Sequence, residues 1–356
     1  MLLKDVRVYK NRPLTSLINS LLVLNSCRFQ GLVKSAPGIL RVSDKLGLSG
    51  VSNSFIKHTF FKYFCGGENL SEVAPVMEEL RAAGIGCILD LAIEENGVRA
   101  AKELVVMFCK SIDIACQGSD NFISLKLSAF DCSTTEISQL NTICSYAKKN
   151  NVKVMIDAEG SAIQPKIDEI TSRLADVHNT ESAVVWQTYQ MYLKDSFPRL
   201  VKNLQRKHQH IGIKLVRGAY MASEPRGLIH DSIQDTHDNY DTSVKYCINQ
   251  VSKGQAIELM LATHNKDSIQ KAIDCIAGSS KNIKFGQLYG MKDDLTYGLA
   301  SAGFSVYKYI PYGPVGTALP YLLRRAHENT TVLETLAIDN KLYMSEIKKR
   351  FFFSNA

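Results

Sequence analysis

Polar and charged side chains recur in this chain where strand-like stretches end. Lys126 lies in Ser124-Leu-Lys-Leu-Ser128, Asp157 in Ile156-Asp-Ala-Glu159, and Gln187 and Gln190 close a third apolar run. Lys214 and Arg217 flank a fourth, Thr263 and His264 end a fifth, and Gln287 and Tyr309 belong to the last two. Singly, each has an ordinary explanation. A strand lysine can snorkel, an aspartate can cap the next helix, and a histidine beside Asn265 can be a hydrogen-bonded core group. As a set they ask for more, because charge buried at so many strand ends is costly unless a ligand or an opposite charge satisfies it. A polar ligand filling one common mouth would do so. Downstream, Arg324 and Glu328 are four residues apart, with Arg325 beside the first. One reading is a solvated ion pair on a helix surface. The other is a grip on a carboxylate, since two neighbouring guanidiniums offer bidentate, charge-assisted hydrogen bonds.

The elements that must position these groups follow from hydropathy. Eight runs rich in Val, Ile and Leu, at 84–93, 122–130, 152–159, 183–190, 212–220, 257–264, 283–289 and 304–310, alternate with segments of helical period. Most lack a period of two, as expected of parallel strands buried on both faces. Ser133 and Glu136 read as a capping box, followed by Ile137, Leu140, Cys144 and Ala147 on one helical face. Asn265 is placed to cap a helix whose stripe is Ile269, Ala272, Ile273 and Ile276. Strand and helix repeated eight times predict an α/β fold, a (β/α)8 barrel, with the polar groups on its C-terminal face. An open doubly wound sheet would normally carry a Gly-rich first turn, and no GxGxxG or GxxxxGK[ST] occurs. The expected organisation is an N-terminal helical arm over 1–80, the barrel over 81–335 and a helical tail over 336–356.

Composition narrows the class. A net charge of +7, with Lys and Arg interspersed among acids, does not imply nucleic acid. Nine cysteines form no CxxC pair and no metal-like spacing with His, so reduced, packed thiols and no metal are expected. No apolar run approaches the length of a membrane span. The first 34 residues hold Lys4, Arg7, Lys10, Arg12, Arg28 and Lys34 against Asp5, which reads either as an organellar presequence or as a structural helix with Leu14, Leu17, Ile18, Leu21, Leu22 and Leu24 on its apolar face.

Taken in chain order, the motifs resemble the proline dehydrogenase family. They are Ser124-Leu-Lys-Leu-Ser128, Ile156-Asp-Ala-Glu159, Thr188-Tyr-Gln190, Lys214-Leu-Val-Arg-Gly-Ala-Tyr220, Ala262-Thr-His-Asn265, Phe285-Gly-Gln-Leu288 with Gly290-Met291, and Val306-Tyr-Lys-Tyr309 through Arg324-Arg325 to Glu328-Asn329. Single pieces are weak signals, whereas the ordered series spans nearly the whole barrel.

The resemblance implies a distorted eight-fold barrel with FAD across the strand ends, oxidation of L-proline to Δ1-pyrroline-5-carboxylate, and a membrane quinone as acceptor. It implies that Lys126, Arg324 and Arg325 hold the substrate carboxylate, with Glu328 supporting the arginines and Leu288 and Tyr309 packing around the ring. Asp157, Ala158, Gln187, Lys214, Arg217, Gly218, Ala219, Tyr220, Thr263 and His264 should contact or orient the flavin, with Asp157 and Lys214 closest to the chemistry. It further implies a mitochondrial protein on the matrix side of the inner membrane, peripherally associated with it. The hydride transfer is the cofactor's own chemistry, so the protein has to bind, align and polarise. The clamp would fix the ring with C5 facing flavin N5.

Two departures from the family pattern stand out. Bacterial members carry Arg at 214 and Lys at 217, which keeps charge but not fork geometry. Gly160 follows Ile156-Asp-Ala-Glu159 where Gln is usual in the animal-type members, removing a side chain beside the flavin edge. Three alternatives stand beside the main reading. A hydroxyproline dehydrogenase of the same fold would favour a small Ser at 309, and Tyr309 therefore favours proline. A catalytically silent binding barrel should have lost the clamp, yet Lys126, Asp157, Arg324 and Arg325 are present. A Schiff-base aldolase using Lys126 would want a phosphate loop, and Pro314 in Tyr312-Gly-Pro-Val-Gly316 removes one of the amides such a loop needs.

Overall fold

Eight short β-rich runs became eight strands because each is bounded by a helix long enough to return the chain to the same end. The computed structural model describes residues 9–10, 12–92, 101–118, 121–130, 134–205, 210–276, 281–331 and 333–352, with backbone alone at 30, 32, 33, 44, 101, 134–136, 327–331, 333–338 and 352. An arm comes first, with α1 (Leu14–Cys27), α2 (Gln30–Lys45), α3 (Ser49–Ile56), the π-helical turn Lys57–Phe61, α4 (Lys62–Phe64) and α5 (Leu70–Ala82). Then follow β1 (Gly86–Leu91), α6 (Ala101–Ala115), β2 (Phe122–Leu125), α7 (Thr134–Lys149), β3 (Lys153–Ile156), α8 (Gln164–His178), β4 (Val185–Gln190) and α9 (Ser196–Leu204). The second half is β5 (Ile211–Val216), α10 (Ile233–Ser252), β6 (Ile257–Ala262), α11 (Lys266–Cys275), β7 (Ile283–Leu288), α12 (Asp293–Ser301), β8 (Ser305–Tyr312), α13 (Val315–Thr331) and α14 (Leu333–Phe352). Neighbouring strands pair in parallel from β1 to β8, and β8 closes on β1.

Local signals explain several of these elements. Asn265 caps α11, its side chain accepting from Ser268 N, and Ile269 and Ala272 are the buried stripe. Ser232 and Asp235 form a reciprocal capping box at α10. The expected box at Ser133 and Glu136 lies outside the described residues, but Leu140, Cys144 and Ala147 do form the buried face of α7. In α1, Leu17, Val23, Leu24 and Cys27 are buried, so this stretch is a structural helix of the body, packed against α13 and α14. The arm is fastened from both ends of the chain. Tyr9 stacks on Tyr343 with ring centres 4.2 Å apart, and Arg350 donates to the carbonyls of Tyr9, Lys10 and Arg12.

The barrel interior is layered, and its lower half is plugged. Phe122, Met155, Trp186, Met260 and Tyr307 form a core of their own, with Phe122 edge-on to both Trp186 and Tyr307. Two glycines make room for the rings. A Cβ at Gly212 would fall 2.5 Å from the Trp186 ring, and one at Gly86 would fall 2.3 Å from that of Tyr307. Near the N-terminal strand ends, Lys153 and Lys284 share Glu258 at 2.7 and 3.4 Å. With that end filled, a cavity can open only at the C-terminal face. Among the described residues, no helix is long and apolar enough to cross a membrane.

Candidate active site

Side chains alternate along a strand, so the residue two positions beyond each plug residue also points inward, one layer closer to the mouth. Past Ile88 comes Asp90, past Phe122 come Ser124 and then Lys126, past Met155 comes Asp157, and past Trp186 come Thr188 and Gln190. On the other half are Lys214, Ala262, Leu288 and Tyr309. These inward residues other than Ser124, with the 216–220 turn, Thr263, His264, Tyr321, Arg324 and Arg325, line a cavity of about 450 Å³.

Two lysine–aspartate pairs hold the floor. Lys126 Nζ reaches both oxygens of Asp90, at 3.1 and 3.3 Å. Lys214 pairs with Asp157 Oδ1, and Tyr309 donates to Asp157 Oδ2 at 2.7 Å. Burial alone would push the Asp157 carboxyl up, but Lys214 and Lys126 outweigh it and hold it below the usual carboxylate range. Burial likewise works against the charge of Lys126, and Asp90 and Asp157 reverse that, raising the ammonium above its ordinary value. At neutral pH the floor therefore keeps Asp157 as a carboxylate and Lys126 as an ammonium.

The β5 side supplies a third cation. Arg217 bonds His237, Thr263 and Ser268, and its guanidinium carbon is 4.3 Å from the centre of the Tyr240 ring. Gly218 follows with φ 133°, and a Cβ there would fall 1.5 Å from the Tyr192 ring, so this turn needs glycine. Ala219 N then approaches Gln190 Oε1 at 3.4 Å, which ties the turn to β4. Burial beside Glu159 pushes the Tyr220 hydroxyl up to about 12. His264 is half-buried, and its Nε2 accepts from Leu288 N at 3.0 Å. Burial first, then Lys308 and Arg325, push it down to about 3, so it is neutral with its one lone pair in use.

Most of the expected site residues converge here, and three points differ. Gln187 points out of the barrel, where its Nε2 donates to Asp168 at 2.9 Å and its Oε1 accepts from Asn203 at 3.1 Å. Strand parity is the reason, since Thr188 and Gln190 take the inward places on β4. Gln287 lines the cavity as expected, but its side-chain oxygen turns toward α12, accepting from Thr296 at 3.0 Å. The side chain of Glu328 lies outside the described residues. Sequence reasoning also missed Asp90, concealed in an apolar run although a carboxylate near a strand end was its signal, and His237, which is far from Arg217 in sequence.

The proline dehydrogenase family model matches residues 73–337. The chain belongs to the proline dehydrogenase family. A mitochondrial proline dehydrogenase 1 of Arabidopsis thaliana is 30% identical over 97% of this chain and 85% of its own length. A hydroxyproline dehydrogenase of Xenopus laevis is 29% identical over 98% of this chain and 90% of its own. In fold, the chain is similar to proline utilization A from Bdellovibrio bacteriovorus inactivated by N-propargylglycine, with a TM-score of 0.71 at 17% identity, covering 89% of this chain and 36% of that one. Family and barrel together support oxidation of proline.

Proposed function

We propose that this chain oxidises L-proline to Δ1-pyrroline-5-carboxylate with FAD as the bound oxidant, and passes the electrons to a quinone. The observation that carries the reading is that Lys126 just past β2 and Arg324 and Arg325 from α13 line one cavity with Leu288 and Tyr309. Three cations beside an apolar and an aromatic wall suit a small amino acid with a carboxylate and a hydrocarbon ring. Glu328 supports the arginine pair in this reading.

The residues present also fit a flavin nucleotide. Ala158, Gly218 and Ala219 leave backbone accessible at the mouth, while Tyr220, Thr263, His264 and Arg217 bring polar groups to the same wall. When bound, FAD supplies the acceptor at N5 for the hydride from substrate C5. Lys214, fixed by Asp157, holds a positive charge inside a water-poor barrel, where it stabilises electron density gained at the cofactor position. Asp157 also fixes the Tyr309 hydroxyl, and so the wall against which the substrate ring rests. His264 has no free lone pair for the amine proton, which leaves through the open mouth to solvent.

Hydroxyproline is the second substrate reading, favoured by the Xenopus laevis relative. Tyr309 weighs against it, because its hydroxyl is tied to Asp157 and Ser124 and fills the place a ring hydroxyl would need.

The names of the mitochondrial relatives support a mitochondrial location, and the matrix side of the inner membrane is the face proposed from the family resemblance. The arm supports peripheral contact with a bilayer. Ile39 and Val42 on α2, Leu46 just past its end, and Val51 and Phe55 on α3 are all more than half exposed, and Lys34, Arg41 and Lys45 are exposed along α2. Apolar side chains flanked by cations are what an anionic lipid surface attracts. The test is to release the flavin by denaturation, identify it as FAD, and follow reduction of a soluble quinone with L-proline and with trans-4-hydroxy-L-proline. Reduction dependent on proline supports the proposal. Purified protein that takes up no flavin, or reduces quinone with neither substrate, would refute it.

A further inference from the structure

All the hydrogen bonds described for Arg217 go to neutral acceptors. Nε donates to His237 Nδ1 at 2.9 Å, and the two terminal nitrogens donate to Thr263 Oγ1 at 2.8 Å and Ser268 Oγ at 2.9 Å. The nearest acid in this network is one step removed. Ser268 Oγ donates to Asp241 Oδ1 at 2.5 Å, and Asp241 Oδ2 is also paired with Lys271 at 2.7 Å. The guanidinium thus lines the cavity with no carboxylate directly bonded to it, over the first turn of α11, where backbone amides also favour an anion.

His237 decides the pose. An arginine Nε–H points along a single direction, and a neutral imidazole with its proton on Nε2 presents one lone pair to receive it. An imidazolium presents N–H at both nitrogens, so the same contact would set donor against donor and cation against cation.

We propose that His237 is a positioning residue, which in its neutral form fixes Arg217 toward the diphosphate of the bound flavin nucleotide and on protonation releases it. This rests on the reading of the cavity as a flavin site.

The charges facing His237 come from three elements. Arg217 from the β5 turn and Lys271 from α11 oppose its protonation, while Asp238 and Asp241 from its own helix favour it. Burial comes first, and together with Arg217 it wins, so the imidazole titrates below its ordinary 6.5. The grip is therefore complete at neutral pH and is lost as the pH falls through that lowered value.

The test is oxidised FAD affinity of the full chain, followed by flavin fluorescence between pH 5 and 8, for wild type, His237→Gln and His237→Ala. Glutamine keeps an acceptor that cannot titrate, and alanine keeps none. Wild-type affinity is expected to weaken roughly tenfold on acidification, the size of one charge-assisted hydrogen bond. His237→Gln should hold the high affinity throughout, and His237→Ala the low affinity throughout. Riboflavin, which lacks the diphosphate, should bind with no such dependence in any of the three. A wild type flat with pH, a glutamine variant that follows the wild-type profile, or an equal dependence for riboflavin overturns the proposal. Absence of FAD binding in all three proteins overturns the flavin reading itself, which separates the two failures.

Discussion

Tyr309 donates its hydroxyl hydrogen to Asp157 Oδ2 at 2.7 Å, joining β8 to β3 across the cavity floor. The same carboxylate holds Lys214, so one aspartate fixes both the aromatic wall and the buried ammonium. Tyr309→Phe should keep the wall and lose about 1 kcal/mol of stability with the hydrogen bond. Tyr309→Ser should remove the wall. Activity with proline, as kcat/KM, is expected to fall roughly 10- to 100-fold while activity with trans-4-hydroxy-L-proline falls less, so the ratio of the two reports the pocket.

The Asp157–Lys214 pair gives a pH signature. Asp157 is held below the usual carboxylate range, its charge favoured by Lys214 and Lys126 over the opposing effect of burial. A depressed folded value means the stabilisation is complete above the unfolded value of about 4 and is lost as pH falls through the folded one. Asp157→Asn strands a buried ammonium, so it should cost about 3 kcal/mol between pH 5 and 8. In urea unfolding, that gap should stay constant across this range and narrow only in stronger acid. A gap that closes between pH 7 and 5 would show that the carboxylate is not held ionised.

Two glycines separate packing from binding. Gly212→Ala would bring a methyl within 2.5 Å of the Trp186 ring and should cost about 1–3 kcal/mol, read as a lowered Tm. Nothing lies within 4 Å of a Cβ at Gly160. Gly160→Gln should therefore change stability by less than about 0.5 kcal/mol. By adding a side chain two residues past Ala158, which lines the cavity, it should tighten FAD, measured by equilibrium dialysis.

The arm makes a separate prediction. Val42→Glu with Leu46→Glu places two acids at the exposed C-terminal end of α2 and the turn after it, where lysines and arginines near an anionic bilayer each contribute about 1 kcal/mol. Co-sedimentation with anionic vesicles should fall sharply in the double variant, while proline-dependent reduction of a water-soluble acceptor stays at the wild-type rate.

Much of this was legible in the sequence because the barrel repeats one simple rule. Each of the eight apolar runs overlaps one observed strand, with β5 starting one residue before its run and β8 ending two residues after its own, and the polar residues near their ends, Lys126, Asp157, Lys214, Thr263 and His264, do line one cavity. Parity was harder to read. With no period of two in β4, nothing local distinguishes Gln187, which faces α8 and α9, from Gln190, which faces the mouth. The run 212–220 outlasted β5 because Arg217 to Tyr220 continue it in hydropathy but leave the sheet at Gly218, whose positive φ no pattern announces. His237 was out of reach for another reason. Its value lies in a hydrogen bond to Arg217 formed only when α10 packs beside the β5 turn, and its flanking residues describe an ordinary solvated helix start.

The most direct test of the central claim is an anaerobic visible spectrum of the FAD-loaded protein on rapid mixing with L-proline, repeated with Arg324→Ala. The expected result is loss of the oxidised flavin band, with the variant slowed and needing more proline for half its maximal rate, since Arg324 is assigned to the substrate carboxylate. A band that proline leaves unchanged, or that bleaches equally fast in both proteins, would contradict the assignment of this cavity as the site of proline oxidation.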